Sequence, residues 1–140
     1  MVNREKSKYY LIDNNPNFSE ALKIYLECIM DGIVSGHSVH GAEVHFDPAI
    51  FYTDMILLHM DGEIFEGLRT AAQLFRMNHR FKILAIADNA RSTCLNLLIS
   101  SGLRGCVVRN SVCSELPGAI QKIKAGGYYF SNQISILPQA

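Results

Sequence analysis

The chain has 140 residues, which suits one domain with a single core, and its 49% hydrophobic content is that of an ordinary soluble globular protein. Its 13 Lys plus Arg balance 13 Asp plus Glu, so it carries no net basic field for a nucleic-acid backbone, and direct DNA binding by this segment is disfavoured. The longest apolar runs fall far short of the roughly 20 residues that cross a bilayer, and the polar start is no signal peptide, so a cytoplasmic location without membrane contact is expected.

Tyr9-Tyr10-Leu11-Ile12 is a short apolar run that ends in Asp13-Asn14-Asn15-Pro16, a cluster of turn formers, and so predicts a buried strand and a loop. Asn15 can cap a helix whose first turn holds Pro16, and Phe18, Ala21, Leu22, Tyr25, Leu26 and Ile29 follow with helical spacing. That helix is predicted from about residue 16 to about 31, stopping near Gly32. Ile33 to Val39 reads as a weak strand, and Gly41 to Phe51 as a short, poorly patterned helix that Pro48 would cut or kink.

Met55-Ile56-Leu57-Leu58 is continuously apolar, as in a strand covered on both faces of a parallel sheet, and His59 closes it. After Asp61-Gly62, the stripe Ile64, Phe65, Leu68, Ala71, Ala72, Leu74 and Phe75 predicts a helix ending around Asn78. The strand Ile83 to Ala87 stops at Asp88-Asn89-Ala90, and a helix through Leu95, Leu97, Leu98 and Ile99 ends at Gly102. A brief strand, Cys106-Val107-Val108, leads through Arg109-Asn110-Ser111 into a last helix holding Leu116, Ile120 and Ile123, closed by Gly126-Gly127. The cysteines at 28, 94, 106 and 113 have no C-x-x-C spacing and are expected as buried free thiols.

Five strands alternating with five helices predict an α/β, doubly wound, flavodoxin-like parallel sheet of order 2-1-3-4-5. The domain is expected over residues 1–132, with 133–140 a tail or the start of a linker. In such sheets the functional crevice lies beyond the carboxyl ends of the strands, which singles out Asp13, Asn14, His59, Ala87, Asp88 and Arg109.

At these positions the chain resembles the receiver domains of response regulators, the CheY-like fold, and in particular the NarL/LuxR type. The resemblance covers nearly the whole length. It rests on Leu11-Ile12-Asp13-Asn14-Asn15-Pro16, on the strand from Asp54 to His59, on Gly102-Leu103-Arg104-Gly105-Cys106-Val107-Val108-Arg109 against the family's G-A-x-G-Y-L-x-K, and on Ala119 to Ser131. It implies a Mg²⁺ site built on two acids after the first strand, an Asp nucleophile after the third, a hydroxyl after the fourth and a Lys after the fifth. Mg²⁺ requires oxygen ligands, and its charge together with the ammonium would stabilise a transferring phosphoryl group.

The sequence keeps Asp13 but has Asn14 for the second acid, His59 for the nucleophile, Ala87 for the hydroxyl and Arg109 for the lysine. An imidazole cannot form an acyl phosphate, and a planar guanidinium bonds differently from an ammonium. No cofactor is therefore expected, Mg²⁺ binding should be weak or absent, and the domain should not be an enzyme. Asp61 stands two residues beyond His59 as an alternative phosphoacceptor, although Asp61-Gly62 is also ordinary turn chemistry. His59 can be a phosphohistidine, a metal ligand or a hydrogen-bonded structural residue, and it lacks partners at ligand spacing; His37 and His40 make a poor zinc pair. With the metal and phosphate chemistry removed, Asp13 and Arg109 are expected to pair directly.

The expected function is a phosphorylation-independent regulatory module of two-component-type signalling that binds a protein partner or itself, with any DNA contact left to a further C-terminal domain. The alternative is a phosphorelay receiver modified at Asp61 or His59. A flavin site is disfavoured because Asp13-Asn14-Asn15-Pro16 lacks the Gly/Ser/Thr-rich loop that cradles phosphate.

Overall fold

The computed structural model describes residues 5–41, 47–62 and 64–137. Strand β1, Lys8–Ile12, leads into α1, Pro16–Ile24, where the Asn15 side chain accepts from the Phe18 amide at 3.2 Å and Pro16 takes the first turn. The helix does not stay α-helical to its predicted end. It widens into a π-helical turn over Tyr25–Ile29, and Asp31, at φ 54°, makes the left-handed exit one residue before Gly32.

Strand β2, Ile33–Ser38, precedes a stretch whose predicted helix lies partly outside the described residues. Its described end is a 3-10 turn, Pro48–Tyr52, capped by the Asp47 side chain, as a proline at the first position allows. Strand β3, Met55–Met60, runs one residue past His59 and is buried throughout. Helix α2, Ile64–Met77, is followed by β4, Ile83–Ala87, then α3, Leu95–Ser100, and β5, Gly105–Val108.

Helix α4, Val112–Lys124, contains Pro117. That proline has no N–H to offer the carbonyl four residues earlier, and the freed oxygen of Cys113 accepts instead from the Tyr25 hydroxyl at 3.1 Å. The irregularity in α4 thus becomes a tie to α1. A short strand β6, Tyr129–Phe130, is the last element among the described residues.

The six strands form one sheet in the order β2-β1-β3-β4-β5-β6, every pair parallel. The predicted order is present, with two corrections. A sixth strand is added at the β5 edge, and four α-helices rather than five occur among the described residues. Two residues of strand, with one residue between them and Gly127, are too few for an alternation signal, and Pro48 tightens its segment below an α-helix.

Strand alternation divides the core in two. Tyr9, Leu11, Met55, Leu57, Leu84, Ile86 and Val107 pack under α1 and α4, while Tyr10, Ile12, Ile56, Leu58, Met60, Ala85, Ala87 and Val108 pack under α2 and α3. The segment after β6 stays on the domain: Ile134 is buried, and the Ser135 and Ile136 carbonyls accept from the Leu95 and Asn96 amides at the start of α3. Of the cysteines, Cys94 and Cys106 are buried free thiols as expected, but Cys28 and Cys113 are exposed, on the π turn and on α4. No helix among the described residues is long and apolar enough to cross a membrane.

Candidate functional site

The alternation that buries the α1/α4 face also builds the site. Continued by two residues, the series Tyr9-Leu11, Met55-Leu57, Leu84-Ile86 and Val107 arrives at Asp13, His59, Asp88 and Arg109, three of them just past their strands and His59 next to last in β3. The registers Ile12↔Leu58 and Ala87↔Val108 set Asp13 level with His59 and Asp88 level with Arg109, while His59↔Ile86 places the second pair two residues further along, so His59 reaches Asp88 on the diagonal and the four side chains follow one another across the carboxyl edge of the sheet.

His59 is the centre of the row. Its Nδ1 lies 2.9 Å from Asp13 Oδ1 and its Nε2 lies 2.9 Å from Asp88 Oδ1; the His59 and Asp13 side chains are each 1% exposed, and Asp88 is 28% exposed. Asp13 Oδ1 also accepts from the Asn15 amide at 3.0 Å and Oδ2 from Ser19 Oγ at 2.8 Å. Asp88 Oδ2 accepts from the Gly62 amide at 3.0 Å, a contact that the left-handed Gly62, φ 77°, permits. Arg109 Nη1 is 3.7 Å from Asp88 Oδ1. The Phe18 ring covers both cations, with its centroid 4.4 Å from that of His59 and 5.0 Å from the Arg109 guanidinium carbon.

These contacts set the charge states. Burial disfavours the imidazolium, but the Asp13 and Asp88 hydrogen bonds and their charges outweigh it and hold His59 above its ordinary value. Burial likewise pushes the Asp13 carboxyl up, and the hydrogen bonds from His59, the Asn15 amide and Ser19 bring it below the usual range. Asp88 is lowered against its own burial by His59, the Gly62 amide and Asp61. Asp61, partly exposed at the rim, is raised first by its hydrogen bond to Asp88 and then by burial. Below the raised folded-state value of His59 the row is an ion chain, Asp13⁻, His59⁺, Asp88⁻, Arg109⁺.

The expected pairing of Asp13 with Arg109 is therefore corrected: Asp13 pairs with His59, and Arg109 with Asp88. Strands β3 and β4 stand between β1 and β5, and three strand spacings put the backbones about 14 Å apart, too far for one arginine to span. Asn14 is exposed and lines a small cavity of about 50 Å³ with Asp13, His40, His59 and Asp61. Ala87 lies in the core on the other side of the sheet rather than beside His59. Asp88 and Phe18 carry more of the site than their sequence context suggested. The period-2 continuation from Leu84 and Ile86 was the available signal for Asp88.

No protein-family model matches the chain, and no curated protein matches it. Solved structures do. The isolated REC domain of RcsB from Salmonella enterica serovar Typhimurium superposes with a TM-score of 0.79 at 14% identity, over 91% of this chain and 95% of that one. A two-component response regulator of the LuxR family from Aurantimonas sp. SI85-9A1 gives 0.81 at 20% identity, over 93% of each chain. The fold is that of a response-regulator receiver domain. RcsB dimers bound to two parallel DNAs are also similar, with a TM-score of 0.78 at 15% identity, over 93% of this chain and 66% of that one.

The Mg²⁺ implied by the receiver resemblance does not fit this receiver fold's residues. Both Asp13 oxygens are occupied by hydrogen bonds inside a sealed site, the neighbouring acid is an amide at Asn14, and the third position offers an imidazole already bonded at both nitrogens. A hard octahedral ion finds no carboxylate set there.

Proposed function

We propose that this receiver fold is a regulatory interaction module of two-component-type signal transduction that works without phosphorylation and is not an enzyme. The observation that carries the reading is His59: at the strand end where the resemblance implies a nucleophilic carboxylate, a sealed imidazole bridges Asp13 and Asp88. The imidazolium supplies from within the chain the positive charge that a metal ion would otherwise bring to the edge of the sheet. The pocket thereby holds one state without an external signal on aspartate. Its degenerate residues are Asp13, Asn14, His59 and Arg109, with Ala87, where the resemblance implies a hydroxyl, turned to the other face of the sheet.

Output in this reading is a protein contact, either to a partner or to a second copy, made in the cytoplasm. Exposed Ile99 and Tyr128 near the last elements are apolar side chains suited to such a contact. The module expected to end at residue 132 extends to Ile136, because Ile134 is buried in its core and the Ser135 and Ile136 carbonyls are tied to α3, and any DNA binding is left to a further domain.

Incubation with a small phosphodonor and Mg²⁺, followed by intact mass measurement, tests the proposal. The expected result is no added phosphoryl mass. A phosphoryl adduct that disappears in Asp61→Asn or in His59→Leu would overturn it in favour of a relay modified at that residue.

A further inference from the structure

The fold gives His59 the converging partners that its sequence spacing lacks. One ligand atom each from His59, Asp61 and Asp88 lies within 4.8 Å of the others, although Asp88 comes from a different loop, 27 residues beyond Asp61 in the sequence. A group of carboxylates alone would mean little. Here the nitrogen donor is a sealed imidazole with a fixed direction: Asp13 holds Nδ1, the Phe18 ring packs on the imidazole face, and Nε2 is left pointing at the two acids. A carboxylate placed behind an imidazole is how proteins orient a histidine toward a metal ion and raise its basicity as a ligand.

We propose that His59 Nε2, Asp61 and Asp88 bind a borderline divalent transition-metal ion of the Zn²⁺, Co²⁺ or Ni²⁺ class, with Asp13 as the positioning residue behind the imidazole. The set differs from the Mg²⁺ site that the resemblance implies: Asp13 and Asn14 are not ligands, and one donor is nitrogen, which favours these ions over Mg²⁺. The metal takes the place of the proton between Nε2 and Asp88. Bond lengths of about 2.0–2.1 Å in a tetrahedral site separate the donors by about 3.3–3.5 Å, so the 2.9 Å contact must open slightly while Asp61 swings inward. Both acids sit on loops and are partly exposed, and Asp88 is already oriented by the Gly62 amide. Three protein ligands leave the solvent side open for water.

Titration of the metal-free chain with Co²⁺, read by visible absorption, and with Zn²⁺, read by calorimetry, tests this at neutral pH. The expected result is one ion per chain, a low-coordinate Co²⁺ spectrum that Zn²⁺ abolishes, and no competition from Mg²⁺. Asp61→Asn, at the rim, should weaken binding at least tenfold while the urea midpoint stays unchanged. Asp13→Asn should weaken it about 10–100-fold with the three ligands intact. His79→Gln, an exposed imidazole in the turn after α2 that stacks on Phe75, should bind as the parent does. Absence of saturable binding, or binding unchanged in both Asp61→Asn and Asp88→Asn, overturns the site, as does binding lost in His79→Gln.

Discussion

His59→Leu removes the centre of the ion chain while keeping a side chain of similar bulk. Among the described residues Asp13, 1% exposed, loses its only ionic partner, and Asp88 loses one of two. Breaking a buried pair by deleting one member costs about 3–5 kcal/mol, because the remaining charge stays buried without compensation. Asp13 keeps its hydrogen bonds from the Asn15 amide and Ser19, and Asp88 reaches solvent, so the loss expected is at the low end, about 3 kcal/mol. At roughly 3 °C per kcal/mol for a chain of this size, that lowers Tm by about 10 °C. Urea denaturation at pH 6 in the presence of a chelator measures it, and a cycle with Asp13→Asn isolates the pair. The double variant should lose less than the sum of the two singles, since a neutral amide at position 13 leaves no charge stranded. A His59→Leu loss below about 1 kcal/mol with no coupling in the cycle would refute the argument that the imidazolium holds the buried acid.

In metal-free protein, stability should fall on both sides of a plateau. His59 is raised above its ordinary 6.5, so its contribution is complete below that value and is lost as pH rises through the higher folded-state value. Asp13 and Asp88 are lowered from 3.8, so theirs is present above that value and lost as pH falls through the folded-state values. Tm followed against pH checks both limbs, and His59→Leu should remove the alkaline one. Arg109→Gln should cost about 1 kcal/mol or less in the same urea assay, because the guanidinium is 42% exposed and its contact with Asp88 is long. At Gly105 an added Cβ would stand 2.5 Å from the Tyr129 carbonyl oxygen and 2.8 Å from Ile123 Cδ1, so Gly105→Ala should destabilise by about 1–3 kcal/mol as β6 or α4 moves away. Slower amide exchange at Tyr129 in that variant than in the parent would contradict it.

Local chemistry made much of this protein legible in its sequence. The runs ending at Ile12, Leu58, Ala87 and Val108 stand out because a parallel strand covered on both faces admits almost only apolar residues, and Asn15-Pro16 marks a helix start through groups only a few residues apart. Strand alternation with helices then orders the sheet and places Asp13, His59 and Arg109 at its carboxyl edge. What local pattern could not convey is anything that depends on a partner distant along the chain. The two-residue strand β6 exists because β5 offers it an edge, and the π turn in α1 carries the Tyr25 that meets the carbonyl freed by Pro117 in α4. The same limit applies to the site. His59 alone could be a structural residue, an acceptor or a ligand. Only the tertiary register, by setting β3 between β1 and β4, decided that its two nitrogens face Asp13 and Asp88, and that Arg109, three strands from Asp13, serves Asp88 instead.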